Sequence, residues 1–157
     1  MNPTVTNANA YLRTKVLTAS PEELRLMLLD GAIKFARQGS DGLARRDFEA
    51  SFTGLSQARS IITELIVTIR PEADPALAER VKSLYTFLYT ELVEASLSKD
   101  SKRVDRVIEL LEFERETWAM LMTKLAAERS GKHGAMSGYG GLCTSENAGM
   151  PHVAIDA

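Results

Sequence analysis

The sequence predicts an all-α protein, an antiparallel up-down four-helix bundle with flexible N- and C-terminal segments. Apolar residues recur at helical spacing in four successive stretches, and no stretch sustains the alternation of a strand. The connections between the helical stretches are a few residues long, which favours antiparallel neighbours. With 157 residues the chain can bury one sizeable core. The expected layout is a mobile segment over 1–19, the bundle over 20–129 and a flexible tail over 130–157.

Ser20-Pro21-Glu22-Glu23 opens the first helix, expected over 21–46. A Ser N-cap, a Pro at the first helical position and a Glu at N3 together satisfy orphan amides. Leu24, Met27, Leu28, Ala32, Phe35 and Ala36 share one face, while Leu26 and Ile33 fall opposite, so this helix is expected to be covered on two sides. The pattern alone would end it at Gly39. Continuation to Arg46 costs roughly 1 kcal/mol per glycine relative to alanine.

The second helix is expected over 47–70, ended by Pro71 and Pro75. Phe48, Phe52, Leu55, Ile62, Ile66 and Ile69 form a heptad seam that Arg59 interrupts. A second stripe of Ala58, Ile61 and Leu65 lies beside it and reads as surplus apolar surface for a partner. Asp74-Pro75 opens the third helix, 75–99, with Leu77, Val81, Leu84, Leu88, Leu92 and Ala95 inward and Tyr85 and Tyr89 on one flank. Asp100 or Ser101 caps the fourth, 101–128, which carries Val104, Val107, Ile108, Leu111, Trp118, Met122 and Leu125. Arg115 lies on that side and calls for a carboxylate or carbonyl partner or must snorkel outward, a structural ion pair being the default.

Residues 1–19 are rich in Asn, Thr and Ala, with isolated apolar anchors at Tyr11, Leu12, Val16 and Leu17. The segment carrying Tyr11, Leu12 and Val16 is expected to lie over a partner groove. The stretch 131–157 is glycine-rich and has no helical period.

A formal net charge of -2, with acids and bases interleaved, offers no footprint for nucleic acid or an anionic membrane. The longest apolar run, 61–69, is broken by Thr63, Glu64 and Thr68 and falls short of the roughly 20 residues of a membrane span. The single cysteine, Cys143, cannot form an internal disulfide, and Met1-Asn2-Pro3-Thr4 begins no secretory signal, so a cytoplasmic protein is expected.

The inventory for catalysis is poor. His133 and His152 lie in the tail with Cys143 at spacings that match no zinc signature. Gly138-Tyr139-Gly140-Gly141 neither follows a strand nor opens a helix, as a phosphate cradle requires. No Glu-x-x-His pair is present for a di-iron site. Glu22, Glu23, Glu49, Glu64, Glu91 and Glu94 read as caps and solvated faces. No catalytic residue, metal or cofactor is expected, and an enzyme in the bundle core would need a deep pocket with convergent ionisable groups.

Surface for binding another protein is what remains. The candidate partner contacts are Tyr11, Leu12, Val16, Leu28, Ala58, Ile61, Ile62, Leu65, Tyr85, Leu88 and Tyr89. A self-associating structural or adaptor bundle would use the same stripes, and a weak homodimer is compatible with them.

Several strings, in their order and spacing, resemble the FliS family of flagellin export chaperones. They are Thr18-Ala19-Ser20-Pro21-Glu22-Glu23-Leu24, Met27-Leu28-Leu29-Asp30-Gly31-Ala32-Ile33-Lys34-Phe35, the stretch 58–65, Leu84-Tyr85-Thr86-Phe87-Leu88-Tyr89 and Arg115-Glu116-Thr117-Trp118. Upstream, Tyr11 and Val16 look like the family's short N-terminal motif. The likeness covers about 8–125. It implies a cytoplasmic bundle that binds the disordered C-terminal segment of flagellin, prevents premature polymerisation and presents the client to flagellar export gate components. It also implies a first helix running to about Arg46. Arg59 stands where the family often has Gln, Glu114 where it often has an apolar residue, and the tail after about Arg129 has no counterpart in the resemblance.

Overall fold

A computed structural model describes residues 3–136, with side-chain surroundings for 8–131. Among the described residues there are five helices and no strand: α1 (Pro3–Thr18), α2 (Pro21–Ala44), α3 (Phe48–Val67), α4 (Pro75–Ser98) and α5 (Ser101–Met136). The chain divides into two units, Met1–Met122 and Thr123–Ala157, with the boundary inside α5.

The helix starts follow the local chemistry. Ser20 Oγ accepts from Glu23 N at 3.2 Å and Ser20 N donates to Glu23 Oε2 at 2.9 Å, closing a capping box. Asp47 and Asp74 cap α3 and α4 by accepting from Ala50 N at 3.1 Å and Leu77 N at 3.0 Å. Asp100 Oδ1 accepts from Lys102 N at 3.0 Å at the start of α5, and Lys99, at φ 59°, turns the chain out of α4.

The core is one cluster fed by α2, α3, α4 and α5. Leu29, Ala32, Ile33 and Ala36 of α2 meet Leu55, Ala58, Ile62 and Leu65 of α3. Tyr85, Leu88, Leu92 and Ala95 of α4 and Val104, Val107, Ile108 and Leu111 of α5 complete it. At roughly 25 cal/mol per Å² of apolar surface removed from water, this cluster is the main driving force for folding.

Glycines let α2 and α3 approach backbone to backbone. A Cβ at Gly54 would stand 2.6 Å from Gly39 N and 2.8 Å from Phe35 O, and one at Gly42 2.6 Å from Ser51 N. Gly39 and Gly42 are therefore paid for by packing, and α2 runs through both of them. It stops at Ala44, two residues before the expected Arg46, where Arg46 itself takes φ 58°. The ends of α3 and α4 fall one to three residues inside the expected 47–70 and 75–99.

Three expectations are corrected. Among the described residues the helices number five, not four, because residues 3–18 form α1. Every described side chain of α1 is exposed, so no buried face writes a period into its sequence. The seam of α3 is displaced at its start: Phe48 and Phe52 are exposed and Ser51 and Gly54 are buried in their place, while Leu55 and Ile62 are buried as expected, with Ala58 and Leu65 of the second stripe beside them. Reading only large hydrophobes hides a seam whose first members are small. On α4, Leu77 is exposed and Tyr85 is fully buried, so the inward line passes through Tyr85.

The fourth expected helix is α5, and it extends past 128 to Met136. Val104, Val107, Ile108 and Leu111 are buried as expected, Trp118 packs against the core, and Leu125 is exposed. Cys143, His152 and Gly138-Tyr139-Gly140-Gly141 lie outside the described residues, as does the side chain of His133.

Candidate partner-binding surface

Polar pairs fix the helices that frame this surface. Arg115 Nε donates to Asp30 Oδ1 at 2.5 Å, the carboxylate partner its position called for. Arg37 pairs with Glu112, and Ser40 Oγ donates to Asp105 Oδ1 at 2.7 Å. Between α4 and α5, Arg103 Nη1 bridges to Glu91 Oε1 at 3.2 Å. The ion pairs among these are partly solvated and screened, so they set register more than stability.

A deeper network joins α2, α4 and α5. Arg25 Nη2 donates to the Tyr85 hydroxyl at 3.1 Å, which in turn donates to Glu114 Oε1 at 3.2 Å. Burial, reinforced by the Glu114 charge and opposed by Arg25, pushes the Tyr85 phenol up to about 12. Trp118 Nε1 donates to the Glu22 carbonyl at 3.0 Å and so ties α5 to the first turn of α2.

Three clefts open around this frame. One, of about 630 Å³, is walled by Leu24, Arg25, Leu28, Val67, Arg70 and Trp118. A second, of about 660 Å³, lies between the end of α1, α2 and α5, with Leu26, Met27 and Met122 among its walls. A third, of about 560 Å³, separates α4 from α5, with Phe87 and Leu110 as its apolar walls and Lys102, Arg103 and Arg106 along its rim. Beside it Phe113 is 70% exposed, three residues on from Leu110 and hence on the same helical face.

The residues singled out from sequence separate into two groups. Tyr11, Leu12 and Val16 on α1 and Tyr89 on α4 are exposed, and Leu28 and Ile61 are half-buried against the core. All six present surface. Ala58, Ile62, Leu65, Tyr85 and Leu88 have no exposed surface at all. The stripe Ala58–Ile61–Leu65 is therefore core with one accessible member, because α2 and α4 both close on α3. Tyr11 is 67% exposed, and Leu12 and Val16 on α1 are exposed as well.

Phe87, Leu110, Phe113 and Arg25 were not singled out by pattern. Leu110 and Phe113 stand off the buried line of α5, where only their mutual spacing of three could have marked them. Arg25 interrupts the apolar run Leu24 to Leu29, a charged residue among hydrophobes.

No helix of the described residues is long and apolar enough to cross a membrane, and among them no group of three or more His, Cys, Asp and Glu side chains gathers to hold a metal. The arrangement offers apolar grooves edged by charge.

A family model described as flagellar protein FliS matches residues 4–125. The chain belongs to the FliS family. It is 30% identical over 126 residues to the flagellar secretion chaperone FliS of Bacillus subtilis, covering 80% of this chain and 91% of that one. It is 28% identical over 124 residues to the Salmonella typhimurium protein of the same name, covering 78% and 92%. The Campylobacter jejuni protein, also so named, is 27% identical over 110 residues, 70% of this chain and 86% of its own. The stretch shared with the FliS family contains all walls of the three clefts and the whole Arg25–Tyr85–Glu114 network.

Proposed function

We propose that this chain is an export chaperone that binds the disordered C-terminal region of flagellin in the cytoplasm, prevents its premature polymerisation and assists its delivery to the flagellar type III export apparatus. The match over residues 4–125 to a family whose relatives are named flagellar secretion chaperones carries this reading. The working body is an antiparallel up-down bundle of α2 to α5. Residue pairs that run in opposite directions support it: Asp30 with Arg115, Arg37 with Glu112 and Ser40 with Asp105 between α2 and α5, and Tyr85 with Glu114 and Glu91 with Arg103 between α4 and α5. Along the chain that body covers residues 20–129, so residues 1–19 and the part of α5 from 130 onward lie outside it.

The chaperone acts by occupancy. A client segment that is disordered when free folds its apolar stripes along the grooves, at an ordering cost of about 2–5 kcal/mol that burial of those stripes must exceed. Tyr11, Leu12, Val16, Leu28, Ile61 and Tyr89 make contact, joined by Phe87, Leu110 and Phe113. Ala58, Ile62, Leu65, Tyr85 and Leu88 hold the groove floors from beneath. No proton transfer, metal or nucleotide enters the mechanism, since sequestering the client's apolar surface is sufficient to block its assembly.

The test is a pull-down of flagellin and of flagellin lacking its C-terminal segment by the full chain. Retention of the first and loss of the second is expected. Equal retention of both, or of neither, would remove the reading.

A further inference from the structure

Arg25 sits beneath the cleft walled by Leu24, Leu28, Val67 and Trp118. Its guanidinium lies between two aromatic rings, 5.6 Å from the Tyr85 centroid and 4.9 Å from that of Trp118. Nη2 is engaged by the Tyr85 hydroxyl, while Nε is closed off from solvent and has no acceptor. Buried N–H groups are almost always paired, so an orphaned one marks a place where an acceptor is missing. Nor does a carboxylate touch this cation among the described residues: Glu114 is reached only through the Tyr85 hydroxyl. Arg70 brings a second guanidinium to the same cleft, against a single lining carboxylate, that of Glu22.

We infer that this cleft receives one aspartate or glutamate side chain of the bound client segment, held by Arg25 and Arg70, with a neighbouring apolar client side chain against Leu24, Leu28 and Val67. The inference rests on the proposed function, since it takes the client to be a flagellin segment. The planar fork of an arginine suits a carboxylate two bonds at a time. The Tyr85 and Trp118 rings beside it orient the guanidinium, and its Nε is shielded from water, which strengthens a pair formed there. Arg25 is thus a specificity residue: it rejects a segment that brings an apolar side chain without the acid, because the cation then stays unmet. Since Nε is dry, the incoming acid engages it only as Arg25 or the Trp118 ring shifts. Trp118 is the chain's single tryptophan and therefore reports on this cleft alone.

The experiment titrates the full chain with a tryptophan-free peptide of the flagellin C-terminal segment, reading Trp118 emission and affinity together. Each acidic residue of the peptide is replaced in turn by its amide, against the unaltered chain, Arg25→Met and Arg25→Lys, with helicity of each variant checked by circular dichroism. The expected result is one acidic position whose amide weakens binding about ten-fold to the unaltered chain and has no further effect on Arg25→Met. Arg25→Lys should fall between the two, because it keeps the charge and loses the fork. Tight binding with no acidic position coupled to Trp118 emission or to Arg25 would overturn the inference and leave the proposed function standing. Absence of binding by the unaltered chain would remove the proposed function and the inference with it. Should Arg25→Met fail to fold, the amide series on the unaltered chain still decides: the absence of a single sensitive position overturns the inference.

Discussion

Tyr85 donates its hydroxyl proton to Glu114 Oε1 at 3.2 Å from a position with no exposed surface. The phenol is kept neutral up to about 12, against 10.0 for an ordinary tyrosine. A raised acid pKa favours the fold while the unfolded chain is still protonated. Stability from this group is therefore fully present below pH 10 and is lost as pH rises from 10 to about 12. The loss is on the order of 2–3 kcal/mol.

Tyr85→Phe isolates that contribution. At neutral pH it leaves Arg25 and Glu114 without their shared partner and should cost about 1–3 kcal/mol. Urea unfolding at pH 8, 10 and 11 is expected to show an alkaline decline in the unaltered chain that is shallower in the variant. Parallel declines would mean that Tyr85 ionises as freely in the fold as outside it.

The α2–α3 crossing predicts a contrast between glycines. Gly54→Ala places a methyl 2.6 Å from Gly39 N and 2.8 Å from Phe35 O, backbone atoms that cannot step aside. Despite the roughly 1 kcal/mol that alanine gains in a helix, overpacking should make the variant less stable by about 1–3 kcal/mol. Gly131→Ala meets nothing within 4 Å and should be neutral or stabilising. Thermal melts of both variants check the pair, and equal shifts would contradict the close crossing.

What the sequence disclosed and what it hid follow from the same geometry. Caps at Ser20, Asp47, Asp74 and Asp100 are local interactions that reach two or three residues along the chain, and pattern reading placed every helix that has one. The core line of α5 was legible because Val104, Val107, Ile108 and Leu111 are large and regularly spaced. The seam of α3 was not, since Ser51 and Gly54 are buried for their smallness while Phe48 and Phe52 stand outside. Helix α1 carries no buried face and leaves no period to read. Of the residues expected to meet a partner, Tyr11, Leu28, Ile61 and Tyr89 present surface, whereas the Arg25 cleft depends on Trp118 arriving from 93 positions further along the chain, a distance that no local pattern spans.

Exposure separates binding from folding. Phe113→Asp changes a side chain that is 70% exposed and should leave stability within about 0.5 kcal/mol while weakening flagellin binding about ten-fold or more. Leu65→Asp introduces a charge at a site with no exposure and should abolish the fold. Calorimetric titration alongside melting curves distinguishes them. A Phe113→Asp variant that binds as before would place the client elsewhere.

If occupancy alone blocks assembly, seeded flagellin polymerisation reads it out. Flagellin monomers are mixed with filament seeds and increasing amounts of the full chain, in chelator and without nucleotide, and filament growth is followed by light scattering. Growth is expected to fall in proportion to chaperone added and to stop once the client is saturated. Undiminished growth at saturating chaperone, or inhibition that requires a metal or nucleotide, would contradict it.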